Sequence, residues 1–327
     1  MCAPLLMETV ARSLSRRSFL ASSLAALAGA ALAQAGVSGK AFSRAVDLTH
    51  ELSPEIPLFP GAEPMRIATL VTVRQNGYYG NRLDLWEHSG THMDAPAHFV
   101  EGAPTAEKLP LSALIAPLAV IHIHEKAAKD PDAQVTVDDI LAYERQYGRL
   151  PKGAFVAMHS GWESRWRDPK AFVNQDASGT LHFPGFSPEA AAFLVREREI
   201  VGIGVDTLSL DFGPSKDFKT HVTVLGAGKY GLENLANLAQ VPPSGALLFV
   251  GGPKHKGASG GPVRAVAVWV ISWLRVPEEE ELPEEVRALF ARFREKTGFV
   301  PNAARARIDL KRTYTNALVD RALKMVK

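Results

Sequence analysis

Apolar and polar positions along the chain alternate or cluster in short runs that predict many strands and a few helices. Asp47 to Gly61 reads as a short strand followed by Pro54, Pro57 and Pro60, an extended segment that cannot be helical and is expected to lie over another part of the protein. Met65 to Val73 and Asn81 to Met93 alternate with period two, and Asn76-Gly77 between them is a turn signal, so the two read as antiparallel strands. Leu118 to His124 and Ala154 to His159 are apolar or β-branched runs of strand length, separated by a helix predicted over Val137 to Tyr147. Ser187, Pro188 and Glu189 open a second helix, with serine as N-cap and proline in the first turn, that runs as far as Arg198. Ile200 to Val205 reads as a buried strand, and Ala246 to Val250 with Val263 to Leu274 complete the set. From Pro277 the composition changes to Glu279, Glu280, Glu281, Glu284 and Glu285 and then to helical periodicity in Leu289, Phe290 and Phe293, which predicts a helical extension over 277–327.

One polar run stands out from this pattern. His88, His92, Asp94 and His98 recur at every second or fourth position, beside Gly90, Thr91 and Pro96. Gly90, β-branched Thr91 and Pro96 argue against a helix. On a strand, His88, Gly90, His92 and Asp94 point to one side, and the glycine leaves room for an ion between the imidazoles. Pro96 ends the pairing, so His98 lies beyond the strand, within reach of an open position on that ion without being used as a ligand.

The first residues read as a targeting segment. Ser15, Arg16, Arg17, Ser18, Phe19 and Leu20 form a twin-arginine pattern, an apolar stretch runs to Leu32, and Ala31 to Ala35 offers two A-x-A cleavage sites. The expected organisation is a signal over 1–35, a main domain over 36–276 and the helical extension, with the mature protein in the periplasm. The apolar stretch is shorter than the ~20 residues of a spanning helix, so no membrane anchor is expected in the mature form. The single cysteine, Cys2, precedes the signal and leaves with it, which removes disulfides, thiolate ligands and cysteine nucleophiles together.

With 327 residues, 46% of them hydrophobic, the chain can bury a full core. Lys plus Arg at 37 against Asp plus Glu at 35 leaves a net charge of +2, too little for a nucleic-acid surface, and points to a small-molecule partner. Two motifs suggest other chemistry and fail on context. Gly226-Ala-Gly-Lys-Tyr-Gly231 matches a dinucleotide loop, but after Glu233 no acidic residue occurs before Glu278 to hold a ribose hydroxyl. Gly257-Ala-Ser-Gly-Gly261 matches a nucleophile elbow, but Pro262 and a strand-like run follow, and His255 is the last histidine of the chain. A glycine-rich flexible loop is the expected reading there.

Polar residues from Asp206 to Asp211 and from Ser215 to His221 follow directly on a buried strand, where function often sits. His221, read as opening an apolar strand, and Glu233, read in the first turn of a helix over Leu232 to Leu238, are the candidates to complete a metal shell. Here the chain resembles a known family. His88, Gly90, Thr91, His92, Asp94, Pro96 and His98 resemble the H-x-G-T-H-x-D-x-P-x-H signature of the metal-dependent cyclase family, which includes kynurenine formamidase and isatin hydrolase. The resemblance spans Asp47 to Val276, with Gly204 to Asp211 and Gly231 to Asn234 contributing.

The resemblance implies an α/β protein of compact β/β/α (swivelling) fold, with mixed and antiparallel sheets flanked by helices, assembled as a homodimer or homotetramer. It implies one or two divalent ions, Zn²⁺ or Mn²⁺, with His88 and His92 on the first ion, Asp94 and Glu233 bridging, and His221 on the second. It casts His98 as proton donor and acceptor, and places Phe59 where formamidases have a substrate-stacking tryptophan. His50 is a further candidate to line the pocket; the remaining histidines, His122, His124, His159, His182 and His255, are read as surface or strand residues. The expected activity is hydrolysis of the C–N bond of an aryl formamide such as N-formylkynurenine. The alternatives are ring opening of an isatin-like cyclic amide or lactone, and a periplasmic metal-binding or ligand-binding protein without turnover. A structural zinc domain fits least, because such sites are closed and often thiolate-rich.

Overall fold

The computed structural model describes residues 44–269, with Phe42 and positions 284, 287, 288 and 291; the signal pattern and nearly all of the helical extension lie outside the described residues. The chain divides into a unit over 1–43 and a unit over 44–327, and the account below concerns the second. In chain order its strands are β1 (Arg44–Asp47), β2 (Arg66–Val71), β3 (Gly80–Asp84), β4 (His92–Asp94), β5 (Ile115–His122), β6 (Gln134–Val135), β7 (Phe155–His159), β8 (Gly185–Phe186), β9 (Gly202–Val205), β10 (Tyr230–Glu233), β11 (Ala246–Gly251), β12 (Gly260–Pro262) and β13 (Arg264–Trp269). One mixed sheet runs β1-β13-β11-β5-β7-β9-β10-β4-β12, and β2-β3 and β6-β8 form two small ones. Strands β5, β7, β9 and β10 are parallel, and the joins on either side of them are antiparallel.

Up to their last residues, His122, His159 and Glu233, strands β5, β7 and β10 carry no charged side chain, because both faces of the sheet are covered. Val156 and Met158 of β7 enter the core on one face, and Phe155 and Ala157 that on the other. Helices α1 (Val137–Tyr147) and α2 (Pro188–Arg198) cover the first face, burying Ile140, Ala190, Ala191 and Leu194. Both start where the sequence predicts. Thr136 and Asp139 form a reciprocal capping box on α1, and Ser187 accepts from the Ala190 N–H at the start of α2. On the second face the Phe155 ring lies against Gly202 and Gly204 of β9, so close that a Cβ on either glycine would stand 2.9 Å from it.

Four local expectations are corrected. The alternation over Asn81 to Met93 is not one strand: β3 ends at Asp84 and β4 spans only His92–Asp94, because Gly90 takes a left-handed backbone (φ +63°) that no strand continues through. His88 and Gly90 therefore belong to a loop. Asn76 closes a short helix, Val73–Asn76, capped by left-handed Gly77, in place of a simple turn. His221 lies on helix α3 (Lys219–Gly226) and not on a strand, while Glu233 ends strand β10 and not a helix. The glycine motif over 226–231 accordingly runs from a helix into a strand, the reverse of a dinucleotide loop.

Candidate metal centre and active site

The register of β4 with its neighbours sets the centre of the site. In the β4–β10 pair Glu233 stands opposite His92 and Gly231 opposite Asp94, so His92, Asp94 and Glu233 share one face of the sheet. On the other side of β4, Gly260 of β12 stands opposite Asp94. A Cβ there would run into the Met93 carbonyl oxygen and within 2.7 Å of the His88 ring, so only glycine fits.

Each imidazole is oriented by a second group. Nδ1 of His92 lies 2.9 Å from the Gly90 carbonyl oxygen, an acceptor, so Nδ1 donates and Nε2 faces Asp94 Oδ1 at 3.4 Å and Glu233 Oε2 at 3.3 Å. Asp211 does the same for His221: its Oδ2 takes the Nδ1–H at 2.6 Å, leaving Nε2 toward Glu233 Oε1 at 3.0 Å and Asp94 Oδ2 at 3.4 Å. The Asp211 carboxylate also accepts the backbone N–H groups of Thr220 and His221, which satisfies the first turn of α3 and holds that helix where its β-branched sequence would favour a strand. Glu233 is steadied by the Leu210 N–H at 2.9 Å.

His88 arrives from the loop, with Nδ1 2.6 Å from Asp94 Oδ1 and Nε2 2.9 Å from Ser259 Oγ. Ser259 donates its hydroxyl proton to Glu87 at 2.7 Å, so it accepts from His88 Nε2–H. With Nε2–H given to Ser259, Nδ1 meets a carboxylate oxygen of Asp94, an arrangement that needs a proton or a cation between the two. Asp94 Oδ2, fully buried, has no hydrogen-bond partner. Both features fit a divalent ion. Two groups of ligand atoms, each within 4.8 Å of one another, overlap at Asp94: His88-His92-Asp94 and Asp94-His221-Glu233. These five residues could hold one ion or two.

Burial opposes a proton on His92, but Asp94 and Glu233 outweigh it and carry its pKa up to about 10. Burial likewise opposes His221, which Asp211, Asp94 and Glu233 hold well above the usual range. Against its own burial, Asp94 is kept well below the ordinary carboxylate value by His92, His221 and His88.

His98 closes the single turn Pro96–His98, and its ring stacks on that of His88 with centroids 3.8 Å apart. Burial lowers its pKa, so the ring is neutral near pH 7. It faces a cavity of about 360 Å³ lined by Phe59, Trp86, Phe99, Leu208 and Phe218 above His92, His221 and Glu233. The extended proline segment forms one wall through Pro57 to Gly61. A second cavity of about 310 Å³, bounded by Gln175 to Phe183, shares Phe59, Pro60, Ser209 and Phe218 with the first.

The structure thus brings together His88, His92, Asp94, His98, His221, Glu233 and Phe59. It does not bring His50, whose ring stacks on Trp166 at 3.9 Å, where burial drives its pKa to about 4, and which is no part of the cavity wall. Sequence reasoning gave no role to Asp211 or Ser259, although an acid ten residues before a candidate histidine ligand was a usable signal. Ser259, read as part of a flexible loop, is tied to Glu87 and His88. Asp211→Asn is expected to weaken metal binding about 10- to 100-fold, since Asp211 sets the tautomer and angle of His221. Competition with a chromogenic chelator measures it, and unchanged affinity contradicts that role.

The family described as "Putative cyclase" matches residues 46–212. The chain belongs to the cyclase family. Isatin hydrolase of Roseibium aggregatum is 36% identical over 196 residues, covering 58% of this chain and 74% of that protein. The structure of isatin hydrolase A from Ralstonia solanacearum superposes with a TM-score of 0.66 at 34% identity, over 75% of this chain and 97% of that one. Kynurenine formamidase of Salinibacter ruber is 26% identical over 225 residues, or 68% of this chain and 95% of that protein. The mixed sheet flanked by helices is the fold that these relatives share, and this cyclase-family chain has buried histidines and carboxylates that could bind a metal.

Proposed function

We propose that this protein is a metal-dependent amidohydrolase that opens an aromatic cyclic amide of the isatin type. The observation that carries the hydrolase reading is His98, a neutral imidazole with no side-chain hydrogen bond among the described residues, stacked on His88 at the floor of an aromatic cavity. A non-catalytic binding site has no use for a free base placed there. A divalent ion held by His88, His92, Asp94, His221 and Glu233, Zn²⁺ or Mn²⁺ by its nitrogen and oxygen donors, would supply Lewis-acid polarisation of the carbonyl and hydroxide at neutral pH. His98 takes the proton of the attacking water and returns it to the departing ring nitrogen. Phe59, Phe99 and Phe218 form flat apolar walls for a fused aromatic ring.

Similarity to isatin hydrolases at 34–36% identity, against 26% for the formamidase, moves the cyclic amide ahead of the aryl formamide that the sequence alone favours. Export through the twin-arginine route and assembly as a dimer or tetramer belong to the same proposal and rest on the signal pattern and the family resemblance. The test is hydrolysis of isatin and N-formylkynurenine by the full chain, with Zn²⁺ or Mn²⁺ added and with a chelator control. Metal-dependent opening of isatin, with kcat/KM about tenfold or more above that for the formamide, is the expected result. Preference for the formamide overturns the substrate, and no turnover of either puts a metal-binding or ligand-binding protein first.

A further inference from the structure

Three histidines outside the candidate active site converge at the carboxyl ends of two parallel strands. His122 ends β5 and His159 ends β7, and the register of the two strands places these residues side by side. His124 opens the short helix that follows β5, and the Ile123 N–H donates to the His159 carbonyl at 2.9 Å, tying that turn to β7. Nδ1 of His122 lies 2.8 Å from Nδ1 of His159. The ring centroids stand 4.9 Å (His122–His159), 5.2 Å (His124–His159) and 5.9 Å (His122–His124) apart, and one nitrogen from each ring falls within 4.8 Å of the other two.

We propose that His122, His124 and His159 form a second metal site, for a transition-metal ion of Zn²⁺, Cu²⁺ or Ni²⁺ type, separate from the centre built on Asp94. None of the three lines the cavity above His98. Neutral imidazoles suit these ions, and three nitrogens are enough for tight binding with the remaining position left to water. Burial, with the neighbouring rings, lowers the pKa of His159 to about 4, and burial also lowers that of His122, so both rings are neutral and an ion need displace only the proton they share between their Nδ1 atoms, the other ring nitrogen taking it up. In tetrahedral coordination at ~2.05 Å the ligand nitrogens stand about 3.3 Å apart, so the His122–His159 contact opens by about half an ångström to admit the ion. His122 and His124 are exposed and can move by that amount, while His159 is buried and anchors the site. An ion there would clamp the turn after β5 to the end of β7.

The test is equilibrium dialysis of the full chain against Zn²⁺, followed by metal analysis, for wild type, the double variant His122→Ala/His124→Ala, and His221→Ala. Both replaced residues of the double variant are exposed, and the metal-free melting temperature checks that its fold is kept. The expected result is one equivalent of Zn²⁺ fewer in the double variant, with the metal removed by His221→Ala still present. With Cu²⁺ loaded, the wild-type electron paramagnetic resonance spectrum should carry, beside the signal of copper at the Asp94 centre, a second nitrogen-coupled signal that the double variant lacks. Equal metal content in the double variant and wild type overturns the proposal, as does a difference seen only with Zn²⁺ in large excess over protein.

Discussion

Replacing His98 with alanine is expected to lower kcat about 10²- to 10⁴-fold while the protein keeps its bound metal. The ring touches the metal-ligand set only through ring contacts with His88 and His221 and makes no hydrogen bond to it, so its loss removes a base and not a ligand. Its depressed pKa gives the sign of the pH effect: the ring gains a proton and stops accepting one only below the ordinary histidine range, so the wild-type rate falls on the acid side. That acid limb should be missing from the residual activity of His98→Ala. A variant that keeps both the wild-type rate and the limb would place proton transfer elsewhere.

The second large effect is expected for Asp94→Asn. Asp94 is common to both groups of ligand atoms, so an amide there weakens both, and activity should fall to the level of the metal-stripped wild type. The metal-free protein offers a second readout. Because the folded pKa of His92 is raised to about 10, its stabilising effect is fully present below the unfolded value near 6.5 and is lost as the pH rises toward 10. Asp94→Asn removes the main source of that rise and should flatten the loss, measured as urea-unfolding free energies at about pH 6 and about pH 9. Retained metal with an unchanged slope would remove Asp94 from the centre.

Much of this site was legible because ligand chemistry is carried by residue type and spacing. Three histidines and a carboxylate within His88 to His98 have little to do in a core, and the structure does bring them together. How they meet was not legible. The strand reading needed Gly90 to be extended, and a glycine is the residue least bound to local expectation. His221 and Glu233 do come to Asp94, but from other elements than the sequence suggests. Val222, Thr223 and Val224 read locally as strand, and only the distant Asp211 carboxylate under the first turn settles the helix. Leu232 to Leu238 is an apolar run that periodicity cannot assign, and pairing with β4 and β9 decides it. Ser259 reaches His88 across 171 positions of sequence, a contact with no local signature. His122 and His159 are likewise joined only by the parallel pairing of β5 with β7.

The most direct test of a metal centre at Asp94 is an anomalous-difference map from crystals grown with Zn²⁺, recorded at its absorption edge. The expected result is a peak about 2.0–2.2 Å from an oxygen of Asp94 and from nitrogens of the surrounding histidines. A map with no peak among His88, His92, Asp94, His221 and Glu233, from protein shown to contain the metal, would contradict it.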